Sequence, residues 1–230
     1  MPSWEEFRPF IATGLALGGV YALSGVGLVV LYRTTGVLNL AFGAIGAMSW
    51  IWSDKARSMT LPTSNENFDV GDVLVTYTQV IGFALGVVVT IVTTAYLRFT
   101  KTGTAMRALA NDREITAALG VPVRRVEATA WLASGLLAGV AGLLLSNLVG
   151  LDANTLTFLV ISGLAAALIA RLQSIVVTLF AGIVIGLVNA LITPILSISE
   201  YRDMTPFVLA VVALLWLSRH REVSFSRAAG

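Results

Sequence analysis

The sequence predicts an all-α integral membrane protein. It should have about seven crossing helices, one of them broken or re-entrant, with the N-terminus outside, the C-terminus cytoplasmic and a weak inverted repeat. Three observations carry that prediction. Of 230 residues, 57% are hydrophobic and only 12% are charged; a soluble domain carries about a quarter charged residues. The mean hydropathy is +0.85, and fifteen bases with thirteen acids cannot clothe a soluble surface. Next, the apolar residues fall in long uncharged runs, of the length a helix needs to cross the hydrocarbon core, about 20 residues. Finally, the bases collect in alternate loops, which orients the crossings.

The runs follow in order. The start "MPSWEEFRPF" carries two acids and one base. A secretory signal would begin basic and have a shorter apolar core, so the first run is expected to be retained. Phe10–Tyr32 is the first uncharged run, and Thr34–Trp52 is the second. Only "YRTTG" separates them, a short turn between complete helices. The second run, "TTGVLNLAFGAIGAMSW", has glycines at 36, 43 and 46 and Asn39. It is either a broken or re-entrant helix, as transporters use at binding sites, or a plain helix whose glycines allow close packing. Val73–Leu97, Ala128–Leu151, Ala153–Ala170 and Leu172–Ser199 follow, the last containing Pro194. Met204–Ser218 is a short seventh.

Between the runs, Arg98 to Arg125 carries six bases and two acids, and the tail from Arg219 carries three bases and one acid. Both are expected inside the cell. Ser53–Asp72 carries four acids and two bases and is expected outside. Seven crossings then alternate, with Arg33 and Arg171 inside and Asp152 and "SISEYRD" outside. The whole chain, 1–230, is expected to be a single membrane domain, with 98–125 as its cytoplasmic segment.

An internal similarity joins two of the runs. "GLALGGVYAL" from Gly14 and "GIVIGLVNAL" from Gly182 share Gly14/Gly182, Gly18/Gly186, Val20/Val188, Ala22/Ala190 and Leu23/Leu191. With one run inward and the other outward, this is the pattern of an inverted repeat, or a coincidence among residues common in such chains.

Several chemistries are excluded or disfavoured. There is no cysteine and a single histidine, His220, which leaves no disulfide framework and no histidine-rich metal site. No charge sits well inside a run, which argues against a carboxylate relay. The membrane polar groups are Tyr21, Asn39, Gln79, Asn147 and Asn189, each better read as a packing hydrogen bond than as a ligand contact. No catalytic or metal constellation is evident. The phosphate-loop pattern of ATP-binding proteins does not occur, so energy would have to come from a partner.

The polar island in the middle of the chain is therefore the feature to explain. "AMRALANDREITAALG" reads as one short helix, with Ala105, Leu109 and the Ala117, Ala118, Leu119 group apolar. Arg107, Asn111, Asp112, Arg113 and Glu114 are polar, Gly103 and Gly120 punctuate its ends, and Pro122 follows. Such a helix lies on anionic lipid, docks in a groove of a cytoplasmic partner, or is simply solvated.

The island resembles the coupling region of ABC-importer permeases for branched-chain amino acids. The residues that carry the resemblance are Arg98, Gly103, Ala105, Arg107, Ala108, Ala110, Asp112 and Gly120, with Ala117 and Ala118 beside an expected alanine. "GLALGGVYALSGVGLVVLYRTTGVLNLAFGAIGA" is similar to the family's opening segments, "WLASGLLAGVAGLLL" to its following span and "EYRDMTPFVLAVVALLWL" to its closing span. The resemblance covers most of residues 10–218. It implies a non-enzymatic permease subunit of a bacterial or archaeal cell membrane. ATP-binding subunits would hold ATP and magnesium, this chain holding no cofactor. A second permease chain, the same or a sister, an extracytoplasmic solute-binding protein and the bilayer would be the other partners, with no nucleic acid. It further implies that Gly103, Arg107, Asn111, Asp112, Glu114, Ala117, Ala118 and Gly120 make or shape the coupling contact. Asn39, Ala41, Phe42 and Gly43 would line the path. The chain departs from the pattern at Phe42, where the family has histidine, and at Ala44, often an acid there. "IARLQSIVVT" stands where the family has "LGGIGSIPGA", and the stretch between Trp52 and Val73 is about two helices too short. The alternatives are a non-transporting or degenerate scaffold subunit, or a channel or secondary carrier.

Overall fold

The computed structural model describes residues 4–38, 66–70, 73–148, 153–195 and 199–228. Its helices are α1 (Trp4–Thr35), α2 (Tyr77–Phe99), α3 (Lys101–Asn111), α4 (Arg113–Ala118), α5 (Val123–Leu148), α6 (Ala153–Ile169), α7 (Ile175–Ile192) and α8 (Thr205–Ala228). Strands β1 (Asn67–Val70) and β2 (Val73–Thr76) form an antiparallel hairpin, and a 3-10 helix, Ser199–Met204, precedes α8.

Among the described residues, four helices are long and apolar enough to cross a membrane: Phe7–Thr35 of α1, α2, α5 and α7. Helices α2, α5, α7 and α8 turn Val88, Ile91, Leu132, Leu136, Phe180 and Val212 outward. Water would not tolerate apolar faces of that extent on a monomer, whereas lipid covers them at no cost. The build is that of an all-α membrane protein.

Helix α1 is the axle of the bundle. Its most apolar stretch is 89% buried, against 22% in α2. It packs on α7, α5, α2 and α6, and its glycines are distributed among these neighbours. A methyl group on Gly19 would lie 2.7 Å from the Gly82 carbonyl oxygen of α2, and one on Gly25 2.8 Å from the Gly163 carbonyl oxygen of α6. Gly14 and Gly18 serve α7: methyl groups there would lie 2.9 Å from the Leu187 Cα and 2.6 Å from the Ile183 Cα. Each contact is a backbone-to-backbone approach that only a missing side chain permits.

The two similar decapeptides thus meet face to face. The Gly14–Ala190 approach has its counterpart in Gly182–Ala22, and Gly18–Gly182 in Gly186–Gly14. Exchanging each of these residues for its equivalent in the other decapeptide reproduces these two approaches.

Two apolar clusters divide the bundle along its length. Leu17, Val20, Leu144, Leu159, Ile185 and Ala210 form one. Leu31, Leu97, Met106, Leu109, Val126 and Ile175 form the other. The second lies where α1, α2 and α6 end and α3, α5 and α7 begin. That end gathers Arg33, Arg98, Lys101, Arg107, Arg113, Arg124, Arg125 and Arg171. The chain leaves it at Leu38, packed on the second cluster. By Glu66, whose carbonyl accepts from the Tyr77 N–H at 3.3 Å, it is at the opposite end.

Several sequence expectations are corrected here. The run Val73–Leu97 is not all helix: Val73, Val75 and Thr76 are β-branched and join the hairpin, pairing with Val70, Phe68 and Asn67. The helix starts only at Tyr77, where the Gln79 Oε1 accepts from the Thr76 N–H at 3.1 Å. Helix α1 runs on through Thr34 and Thr35 and stops at Gly36, whose φ of +71° suits glycine. Helix α7 stops at Ile192, before Pro194. The second run from Asn39 onward lies outside the described residues. Two of the five membrane polar groups make packing hydrogen bonds: the Gln79 Nε2 donates to Thr13 Oγ1 at 3.1 Å, and the Asn189 Nδ2 to the Arg202 carbonyl at 3.1 Å.

Candidate coupling site

The island 98–125 is built from one joint, two short helices and one cap. At the joint, Thr100 is extended and serves two helices. Its N–H donates to the Tyr96 carbonyl at 3.1 Å, closing α2, and its Oγ1 accepts from the Gly103 N–H at 2.9 Å, opening α3. Helix α3 folds back so tightly that a methyl on Gly103 would lie 2.5 Å from the Leu97 Cα and collide with the Tyr96 carbonyl. Met106 and Leu109 are buried in the cluster with Leu97 and Val126. Lys101, Thr104, Arg107 and Asn111 remain outside.

The expected single helix is broken at Asp112. Asp112 is extended, with φ −153° and ψ 113°, and its N–H donates to the Ala108 carbonyl at 3.0 Å, ending α3. Its Oδ1 accepts from the Ile115 N–H at 2.9 Å and caps α4. The carboxylate thus satisfies a backbone donor that the first turn cannot pair. Asp112, which the resemblance offers as a coupling contact, has this local role as well.

Helix α4 ends in a Schellman turn. The Gly120 N–H donates to the Ala117 carbonyl at 3.0 Å and the Val121 N–H to the Thr116 carbonyl at 3.4 Å. Gly120 has φ +83°, the left-handed geometry this turn requires. Pro122 then accepts from the Arg125 and Val126 N–H groups and launches α5. Arg113 is tied to α5 by its Nε, which donates to the Glu127 Oε1 at 3.0 Å. That hydrogen bond and its charge hold the Arg113 proton more firmly than usual.

The result is a six-residue helix fixed at both ends, with Thr116 alone buried. Glu114, Ala117 and Ala118 face outward. So do Ile115 and Leu119, 61% and 79% exposed. These two lie one turn apart and make an apolar pair on a charged end of the bundle. Neither is singled out as a contact from the sequence, where Leu119 is grouped only with the apolar residues of the expected helix.

Of the residues singled out for coupling, Gly103 and Gly120 shape the backbone and Asp112 caps it. Glu114, Ala117 and Ala118 are presented together on α4. Arg107 and Asn111 instead line a recess with Arg33, Arg113 and Arg171. Arg171 sits in a left-handed turn, φ +54°, with Leu172 at +57°. Their N–H groups donate to the Leu168 and Ala167 carbonyls, both at 2.8 Å. The path candidates Asn39, Ala41, Phe42 and Gly43 lie outside the described residues.

No curated protein and no solved structure matches the chain significantly. A protein-family model does, that of the branched-chain amino acid transport system permease component, over residues 54–215. This is well over half of the 230 residues and includes the island, α5, α6 and α7 entire. The chain belongs to the family of branched-chain amino acid transport permease components.

Proposed function

We propose that the chain is a permease subunit of an ATP-driven importer for branched-chain amino acids or a related small solute. Its segment 98–125 couples it to a separate ATP-binding subunit, which holds the ATP and magnesium. The observation that carries this reading is α4. A short helix capped at both ends, salt-bridged to α5 and presenting Ile115 and Leu119 beside Glu114 is a rigid apolar knob with a charged rim. A lipid-surface helix would need free bases around its apolar face, whereas the one base of α4, Arg113, is engaged by Glu127 and is followed by Glu114.

In this reading the base-rich end is cytoplasmic and the hairpin end faces the solute-binding protein, in a bacterial or archaeal cell membrane. The matched contacts of the decapeptides support an inverted repeat whose halves cross at Gly18 and Gly186. A second permease chain completes the unit. Gly135, Gly139 and Gly142 of α5 support this: a methyl group on any of them would meet nothing within 4 Å. Elsewhere in the described helices, Gly14, Gly18, Gly19, Gly86, Gly182 and Gly186 each serve a close contact. Asn39, Ala41, Phe42 and Gly43 line the path on the strength of the resemblance, and Phe42 makes that path less polar than its relatives'.

The test is uptake of labelled leucine, isoleucine and valine into vesicles holding this chain with its ATP-binding subunit and binding protein. ATP-dependent accumulation is expected. Co-purification of the ATP-binding subunit without uptake would favour a scaffold subunit, and uptake without ATP a channel or carrier.

A further inference from the structure

The base-rich end of the bundle contains a recess of about 720 Å³ that the coupling reading leaves unused. Four arginines line it, from four different parts of the fold: Arg33 at the end of α1, Arg107 on α3, Arg113 at the start of α4 and Arg171 in the turn between α6 and α7. Asn111 and Gln173 add amide groups, and among the described residues no carboxylate lines it. Glu127 reaches Arg113 from outside the lining. Two of the four arginines are firmly placed. Arg33 belongs to the central helix and is half-buried. Arg171 is held in its left-handed turn by two backbone hydrogen bonds of 2.8 Å.

We infer that this recess binds a phosphate-bearing anion. Four arginine side chains border one concavity, and an anion held there is attracted by all of them. A phosphate suits the set better than a carboxylate. It offers more oxygens than a carboxylate's two, enough to be shared among forks from different directions, and guanidinium matches phosphate in paired hydrogen bonds. The recess far exceeds one phosphate, so the group carries a substituent or enters with water. Its place at the helix ends is also the level at which phospholipid headgroups lie when the apolar helices are in a bilayer. A headgroup and a soluble phosphate share this chemistry. The inference does not rest on the coupling reading, since it needs no partner protein.

The experiment uses the purified full chain without an ATP-binding subunit. Inorganic phosphate is titrated in detergent by calorimetry. Short-chain phosphatidylglycerol is titrated against short-chain phosphatidylcholine at matched concentration. Both series are repeated in Arg33→Gln/Arg107→Gln, in Arg107→Gln alone, and in Arg124→Gln/Arg125→Gln. Arg107 is exposed and its guanidinium donates to the Thr104 Oγ1 at 3.4 Å, so its single variant leaves the fold intact. Arg124 and Arg125 are on the same end but outside the recess. The expected result is saturable binding that weakens about tenfold or more in the double recess variant. It should weaken by less in Arg107→Gln and stay unchanged in Arg124→Gln/Arg125→Gln. Binding of the anionic lipid but not of phosphate identifies a headgroup site, and binding of phosphate but not of the lipid identifies a soluble ligand. No saturable binding of either, or equal weakening in recess and control variants, overturns the inference.

Discussion

Arg171 occupies a backbone position made for another residue. Left-handed φ costs a side-chain-bearing residue about 1–2 kcal/mol, and glycine almost nothing. The family pattern has glycine there, and this chain has arginine followed by Leu172 in the same region. The structure explains what arginine adds, since Arg171 lines the recess at the base-rich end. Comparing two substitutions separates backbone from charge, because Arg171→Gly and Arg171→Ala both remove the guanidinium. Arg171→Gly should be the more stable of the two by about 1 kcal/mol in thermal unfolding of the purified chain. Equal melting of the two would mean that the turn carries no strain. Asp112 presents the converse case, a side chain whose work is local. Asp112→Ala removes the cap of α4 at a cost of about 1 kcal/mol. Hydrogen exchange at the Ile115 amide, the group that Asp112 Oδ1 binds, should accelerate while α5 is unaffected.

At the scale of elements, glycines in this bundle fall into two kinds with opposite expected effects. Gly186 is wedged against Gly18 and the Gly14 carbonyl. Gly186→Ala should destabilise by about 1–3 kcal/mol through overpacking. Gly139 faces open space, so Gly139→Ala should stabilise the isolated chain by about 0.5–1 kcal/mol through helix propensity. If a second permease chain covers α5, the same change should weaken that association. Unfolding curves and analytical ultracentrifugation of the two variants check both signs. The apolar runs made α1, α2, α5 and α7 legible, because length and absence of charge are read directly from sequence. They could not show that Val73–Thr76 would leave the helix for a hairpin, since a β-branched apolar stretch suits both environments. Nor could they show that α1 would be central, since a uniformly apolar helix has no face that announces its neighbours. The repeat of Gly14, Gly18 and Ala22 at Gly182, Gly186 and Ala190 was visible, but that the two copies touch each other was not.

For the whole molecule, the clustering of bases at one end of the bundle supports the orientation with that end in the cytoplasm. The chain has no cysteine, so single cysteines can be introduced without background. A cysteine at Asn67, on β1, should react with an impermeant thiol reagent from outside. One at Asn111, at the end of α3, should react only from inside. Reaction of both from one side would contradict this arrangement. Within segment 98–125 the punctuation at Gly103 and Gly120 was legible, and both glycines shape the backbone there. The apolar pair proposed for docking was not, because a single exposed apolar residue has no signature in the sequence. With Asp112 capping α4, Leu119 stands 79% exposed beside Ile115. The most direct measurement of the account is solute-stimulated ATP hydrolysis by vesicles containing this chain, its ATP-binding subunit and its binding protein, with Leu119→Asp and Glu114→Lys compared to the natural sequence. Loss of a central apolar contact lowers association by about tenfold or more. Stimulation should therefore fall at least that far in Leu119→Asp, and should also fall in Glu114→Lys, with both permeases still folded. Undiminished stimulation in both would contradict docking through α4 and remove the reason for a polar island in so apolar a chain.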